Sequence, residues 1–359
     1  MFPFSNMMLV IAVCTTLGIS FIILATRIFN KKVKKPNSNR NFIPSLSGKH
    51  VLITGASTGI GLSLSKKSLQ EGAFVTLVAR KSDKLEEAAR FLVKEVQCSP
   101  NRILTKNTTL VRGAFFLQIA DVGDYAAIAR VIEEALAWRP IDVLICNAGI
   151  TRSGFFEDVS VEDLNAVVQT NLLGTVYPVH AALPSLKERS RSHPVAIVFI
   201  GSLASLAWLY GSSVYTGTKH AVKGIAESLA MELVPFNMRV NLVCPGFVES
   251  AFLDDVSTDP ELVEGMRWTC LYDRRRAESA DEVAKTSIAG IKAGSFLITT
   301  TPYLGSLIAV LTRGFIPSES FATNFLEAIA CFTFRLLTFL GTIGMKWQLV
   351  KIHRKNNRP

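Results

Sequence analysis

Apolar and polar positions divide the chain into three regimes. Met7 to Phe29 is a nearly unbroken apolar run with no charge before Arg27, and Lys31, Lys32, Lys34 and Lys35 follow at once. A run of that length reaches the ~20 residues one helical crossing of a bilayer needs. Lysines on its downstream side place the following chain in the cytosol. A cleaved signal peptide is the competing reading, but its positive charge usually precedes the apolar core. The pattern therefore predicts an uncleaved transmembrane anchor over residues 1–30 and a basic, polar linker over 31–47.

From residue 48 to 294 short apolar runs alternate with segments of helical period. His50–Thr54, Phe74–Ala79, Ala114–Ile119, Val143–Cys146, Val195–Ile200 and Val240–Val243 predict strands. Ile60–Gln70, Asp83–Val96, Tyr125–Ala137, Val161–Leu186 and Ser213–Leu233 predict helices. Such alternation predicts βαβ units and an α/β fold with a doubly wound, Rossmann-type parallel sheet. Ser99 to Arg112 interrupt one crossover as a surface loop. Over 295–359 the chain turns apolar again, at Leu297 to Leu311 and Phe325 to Met345, before a basic tail from Lys351 to Arg358. These stretches predict C-terminal, membrane-associated apolar helices. Arg335 is costly in hydrocarbon, so a hairpin, a re-entrant pair, interfacial helices and a flap over the substrate pocket all stay open.

Charge sharpens this picture. The net charge is +10, the pI about 9.4, the hydrophobic fraction 49% and the mean hydropathy +0.31. The basic residues cluster beside apolar segments, at Arg27 to Lys35 and Lys346 to Arg358, as an anionic membrane surface would require. No RNA-binding motif is present, and nucleic acid is not an expected partner. The six cysteines form no C-x-x-C pair and the five histidines show no ligand spacing. Buried free thiols and no metal are expected. Asn107-Thr108-Thr109 matches a glycosylation sequon that a cytosolic domain would not expose to the transferase.

The first predicted strand ends in Thr54-Gly55-Ala56-Ser57-Thr58-Gly59-Ile60-Gly61. Glycines at 55, 59 and 61 let the backbone turn tightly and approach a pyrophosphate, with the N-terminal N–H groups of the next helix aimed at the anion. The strand–turn–helix context raises this above a plain turn. After the second strand an acidic residue would bind the ribose 2′-hydroxyl of NAD. Arg80 and Lys84 stand there instead, and they suit the 2′-phosphate of NADP(H). Asp121, after the third strand, can hold the adenine amino group. Asn147-Ala148-Gly149, after the fourth, leaves room for the adenosine half.

Tyr215 and Lys219 stand at i and i+4 of a predicted helix, and Ser202 precedes the tyrosine by thirteen positions. An ammonium beside a phenol favours the phenolate, so a tyrosine pKa lowered from ~10 is expected. Such a group can donate and accept the proton of carbonyl/alcohol chemistry, with Ser202 hydrogen-bonding the same oxygen.

Together these residues resemble the short-chain dehydrogenase/reductase family. The matching pieces are Thr54 to Gly61, Asp121, Asn147-Ala148-Gly149, Asn171, Ser202, Tyr215 with Lys219, and Pro245-Gly246, in family order. The resemblance implies a single, frequently dimeric Rossmann-type domain. It also implies roles: Tyr215 as acid/base, Lys219 on the nicotinamide ribose, Ser202 orienting the carbonyl and Asn171 holding a water in the proton relay. Cys146 replaces the family's usual Asn. Within the family the chain is similar to 3-ketodihydrosphingosine reductases, at Ile141 to Leu144, Gly174 to Pro178, Val222 to Leu229 and Met231 to Pro235. That implies NADPH-dependent reduction of 3-ketosphinganine, a long-chain lipid ketone, at the cytosolic face of the endoplasmic reticulum membrane. Cys244 to Ser250 departs from the expected Pro-Pro-Asp-Thr-type loop towards the general family. Two other readings stand beside it: a membrane-bound relative acting on very-long-chain 3-ketoacyl thioesters, steroids or retinoids, and a non-catalytic nucleotide-binding scaffold.

Overall fold

Seven runs of aliphatic residues form one parallel sheet: β1 His50–Thr54, β2 Phe74–Ala79, β3 Phe115–Ile119, β4 Val143–Cys146, β5 Val195–Ile200, β6 Met238–Cys244 and β7 Leu297–Thr299. The computed structural model describes residues 41–96, 115–249, 259–268 and 277–301, with isolated positions 308 and 312. The spatial order is β3-β2-β1-β4-β5-β6-β7, all parallel. Every residue of β1, β4 and β5 is buried, because helices cover both faces of a parallel sheet and leave no polar side. The edge strands β3 and β7 have partly open positions, as do Phe74 at the start of β2 and Arg239 near the start of β6.

Among the described residues the helices are α1 Gly59–Gln70, α2 Ser82–Val96, α3 Tyr125–Trp138, α4 Val161–Val168, α5 Gly174–Ser190, α6 Ser213–Glu232, α7 Pro260–Trp268 and α8 Ala280–Ala293. On one face Leu64, Leu85, Leu92, Ile288 and Ile291 close over Val51, Ile53, Val75, Leu77 and Val198 in a single core. Strand order reverses between β1 and β4, and a crevice opens there at the carboxyl ends of the strands. The Rossmann-type expectation is met.

Several segments depart from the sequence pattern. The helix expected over Val161 to Leu186 is two helices joined by a π-turn at Gln169–Leu173. An extra residue in the turn rotates α5 relative to α4, while each flank keeps its own period of 3.6. At the junction a Cβ on Gly174 would lie 2.5 Å from Val122, so only glycine permits the approach. Leu297–Thr299, expected to open a membrane-associated segment, is instead β7, paired to Leu242–Cys244. Sheet pairing satisfies its backbone and buries Ile298. The domain therefore extends past residue 294, and its compact unit ends at Thr301. At the other boundary, Ile43 and Leu46 of the expected linker are fully buried in the core. The helices α7 and α8 were not expected at all.

The anchor at Met7 to Phe29, the loop at Ser99 to Arg112 and the stretch Phe325 to Met345 lie outside the described residues. Among the described residues no helix is long and apolar enough to cross a membrane.

Candidate active site

The ends of β1, β2, β4, β5 and β6 converge on a cleft of about 460 Å³. Its floor is the glycine turn after β1. Gly55 and Gly59 have φ of 64° and 54°, the left-handed region that favours glycine. A Cβ on Gly61 would fall 2.2 Å from the Gly55 carbonyl oxygen. Asn147 does more than leave room. Its Nδ2 donates to the carbonyls of Thr54 (2.9 Å) and Gly55 (3.1 Å), so it clamps the turn. The Thr54 hydroxyl accepts from the amides of Asn147 (3.0 Å) and Ala148 (3.2 Å). That second clamp was not singled out from sequence, although a threonine ending a strand before a glycine turn is its visible sign.

A dinucleotide fits these residues. Thr58 stands at the N-cap of α1 without a side-chain cap, so the first N–H groups of the helix are not satisfied by it. Ser57, Thr58, Gly59 and Ile60 line the cleft beside them, and Arg80, Lys81 and Lys84 line its far wall. Arg80 and Asp121 meet each other: the guanidinium is 3.6 Å from the carboxylate, both half exposed. Asp121 also accepts from the Gly123 amide at 2.8 Å, while its neighbours Ala120 and Val122 line the cleft. Lys84 pairs with Glu87 at 2.9 Å, which raises its pKa.

Ser202, Tyr215 and Lys219 line the same cleft. Ser202 leaves β5 and opens a short 3-10 turn, its Oγ accepting from the Ala204 amide at 3.1 Å. Tyr215 and Lys219 are one turn apart on α6, 7% and 4% exposed. The Ser202 hydroxyl hydrogen-bonds the phenol. Lys219 Nζ donates to the Ile200 carbonyl at 2.9 Å and lies 5.7 Å from the centre of the Tyr215 ring.

The expected lowering of the tyrosine pKa is absent. Burial pushes the phenol up to about 12, against a smaller opposing effect of the Ser202 hydrogen bond. Burial also brings Lys219 down to about 8. The reason is geometric: the amine is directed at a backbone carbonyl, and the loss of water around the phenolate dominates.

Asn171 is fully buried in the π-turn. Its Oδ1 accepts from the Ile150 amide at 2.8 Å, and its Nδ2 donates to the Ile150 carbonyl at 2.9 Å. A Cβ on Gly149 would meet Asn171 Oδ1 at 3.3 Å and Lys219 Nζ at 3.7 Å, so the third residue of Asn-Ala-Gly lets both approach. Cys146 and Cys244 are buried free thiols, and burial pushes the Cys244 thiol up to about 12. Among the described residues no group of acidic, histidine and cysteine side chains can hold a metal ion.

The model of the short chain dehydrogenase family matches residues 49–261. A 3-dehydrosphinganine reductase of Arabidopsis thaliana is 33% identical, over 81% of this chain and 82% of its own. A 3-ketodihydrosphingosine reductase of Mus musculus is 31% identical, over 83% and 85%. An 11-beta-hydroxysteroid dehydrogenase-like protein of Arabidopsis thaliana is 32% identical, over 70% and 76%. Among solved structures, a short chain dehydrogenase/reductase of Burkholderia phymatum in complex with NAD has a TM-score of 0.63 at 21% identity, covering 77% of this chain and 98% of its own.

Proposed function

The chain belongs to the short chain dehydrogenase family, an oxidoreductase with a nicotinamide cofactor, and on that premise we propose that it reduces the keto group of 3-ketosphinganine with NADPH. The observation that carries this is the convergence of Ser202, Tyr215 and Lys219 on the cleft that the glycine turn opens. The named activity of relatives such as those of Arabidopsis and mouse supports the substrate.

When bound in the cleft, the nicotinamide would be the source of the hydride for the carbonyl carbon. Tyr215, held protonated by burial throughout the neutral range, gives its proton to the carbonyl oxygen as charge builds there. Ser202, whose Oγ accepts from the Ala204 amide, would turn its hydroxyl hydrogen from the phenol to that oxygen as a second hydrogen bond. Lys219 is protonated below about pH 8 and, with one N–H on the Ile200 carbonyl, would offer its remaining donors to the ribose. The side-chain amide of Asn171 is occupied with Ile150, so a relay water would bind its backbone carbonyl, which accepts from Thr175 and keeps a second lone pair.

Gly55, Ser57, Thr58, Gly59, Ile60 and Gly61 would cradle the pyrophosphate. Arg80 and Lys84 would take the 2′-phosphate, Arg80 leaving Asp121 for the stronger anion. Asp121 would then turn Oδ2 to the adenine while Oδ1 keeps the Gly123 amide. Residues 1–30 would anchor the enzyme in the endoplasmic reticulum membrane with its catalytic domain in the cytosol, as a homodimer. A long-chain ketone partitions into the bilayer at ~0.8 kcal/mol per methylene, so an enzyme fixed there meets its substrate.

The test is turnover by the purified full-length chain in detergent. The substrates are 3-ketosphinganine, a very-long-chain 3-ketoacyl thioester and a steroid ketone, each with NADPH and with NADH. NADPH-dependent reduction of 3-ketosphinganine should exceed every other combination. In Arg80→Glu the KM for NADPH should rise about tenfold, the worth of one charge-assisted hydrogen bond, with NADH little changed. Preference for the steroid or the thioester would overturn the substrate, and an unchanged NADPH KM in the variant would overturn the role of Arg80.

A further inference from the structure

Leu209 lines the catalytic cleft on one side and a second cavity, of about 320 Å³, on the other. Phe155 and Phe156 from the β4–α4 connection, Trp208 and Tyr210 from the β5–α6 connection, and Thr216 from α6 form this second cavity with it. No charged side chain is among its lining residues. Phe156 is 62% and Trp208 48% exposed, the two most exposed aromatic side chains among the described residues.

The groove is firmly built. The Gly154 amide donates to the Gly211 carbonyl at 2.9 Å and ties the two connections together. The rings of Phe155 and Tyr210 meet edge to face with centroids 6.2 Å apart. The Tyr210 ring lies so close to α7 that a Cβ on Gly265 would fall 2.3 Å from it. Tyr215 lines the cleft, and the next residue, Thr216, lines the groove. The groove thus begins within one helical turn of the proton donor.

We infer that this groove receives the alkyl tail of the ketone substrate, which passes Leu209 from the cleft and lies against Phe155, Phe156 and Trp208. The inference rests on the lipid-ketone reading of the active site and adds which residues select for chain length. The catalytic cleft must hold a dinucleotide as well as the reacting carbonyl, so a long tail needs space elsewhere. An uncharged, aromatic groove that meets the cleft at the shared Leu209 side chain provides it. A surface that docks on lipid headgroups would present lysine or arginine beside its aromatics, and the groove lining has neither.

The test uses the full-length chain in detergent micelles with the double variant Phe156→Ser/Trp208→Ser, and Trp208→Phe as the conservative control. Both positions are exposed, so folding is preserved. Substrates are 3-ketosphinganine and an analogue lacking most of its alkyl tail. Each methylene that loses its apolar contact costs about fourfold in binding. The double variant should therefore lose at least about tenfold in kcat/KM on the long ketone and stay within about twofold of wild type on the short one. Trp208→Phe should keep most of the preference. An equal loss on both ketones, or none on either, overturns the groove assignment while wild-type turnover leaves the substrate reading intact. Reduced sedimentation with anionic vesicles at unchanged chain-length preference also overturns it, in favour of a bilayer contact. A wild-type chain that reduces neither ketone overturns both readings.

Discussion

At the end of the sheet where the strands begin, Asp142 is buried among donors. Arg189 meets it at 2.8 Å, Lys49 at 3.6 Å and the His50 amide at 2.9 Å. Beside it the His50 ring contacts the Arg139 carbonyl at 2.9 Å and the Thr76 hydroxyl at 2.7 Å. A carbonyl can only accept, so Nδ1 carries the ring proton and Nε2 accepts from threonine. At the opposite end, where the strands finish, Tyr215 and Lys219 are equally buried, yet burial rather than a neighbouring carboxylate governs their protonation. It drives both towards their neutral forms. The fold surrounds the buried Asp142 charge with counter-charges, whereas at Tyr215 and Lys219, as at His50, burial displaces the pKa.

The largest effect that can break this contrast is chemical. Tyr215→Phe removes the proposed proton donor and should lower kcat for ketone reduction roughly 10²–10⁴-fold. Dinucleotide binding, read by fluorescence titration, should be nearly unchanged. A variant that keeps its turnover would show that the carboxyl end of the sheet has no special role. Next comes Asp142→Ala at the amino end, which strands the Arg189 and Lys49 charges. It should cost about 3 kcal/mol in denaturant unfolding, the low end for a buried pair because both cations keep some water. Turnover per folded molecule should not change, and a catalytic defect without a stability loss would reverse the assignment of the two ends.

The smallest effect sharpens the contrast through pH. Burial holds the His50 pKa down at about 4 in the fold, against an ordinary value of 6.5. Between those values the unfolded chain binds a proton that the folded chain refuses. The stability contributed by neutral His50 is therefore complete above pH 6.5 and is lost as pH falls towards 4. The loss amounts to about 2 kcal/mol at pH 5 relative to pH 8. His50→Gln should flatten that part of the Tm-against-pH curve by this amount. Equal slopes in both proteins would mean that the histidine is not the titrating group.

The alternating β/α architecture was legible because the central strands are continuous apolar runs, such as Val195–Ile200, that only a doubly covered parallel sheet can bury. What escaped notice was short or broken. Leu297–Thr299 is too brief to separate from the apolar stretch it opens, and its pairing with β6 exists only in three dimensions. Ile43 and Leu46 are isolated apolar residues in polar surroundings, and nothing local marks them as core. The π-turn at Gln169–Leu173 leaves the helical period on either side undisturbed. Tyr215 with Lys219 and the glycine turn were recognisable because their spacing follows from local geometry, and Ser202 because the joint pattern resembles the family's. The clamping roles of Asn147 and Thr54 and the aromatic groove behind Leu209 depend on distant segments meeting.

The order of residues along the chain, by itself, determined which chemical groups are available and that helix and strand periods bring them to one edge of a sheet. It did not determine how those groups are charged. Tyr215 is pushed upward rather than downward because the folded protein removes its water while Lys219 turns to the Ile200 carbonyl. Solvation and the direction of a flexible amine belong to packing in three dimensions, and no spacing in one dimension encodes them.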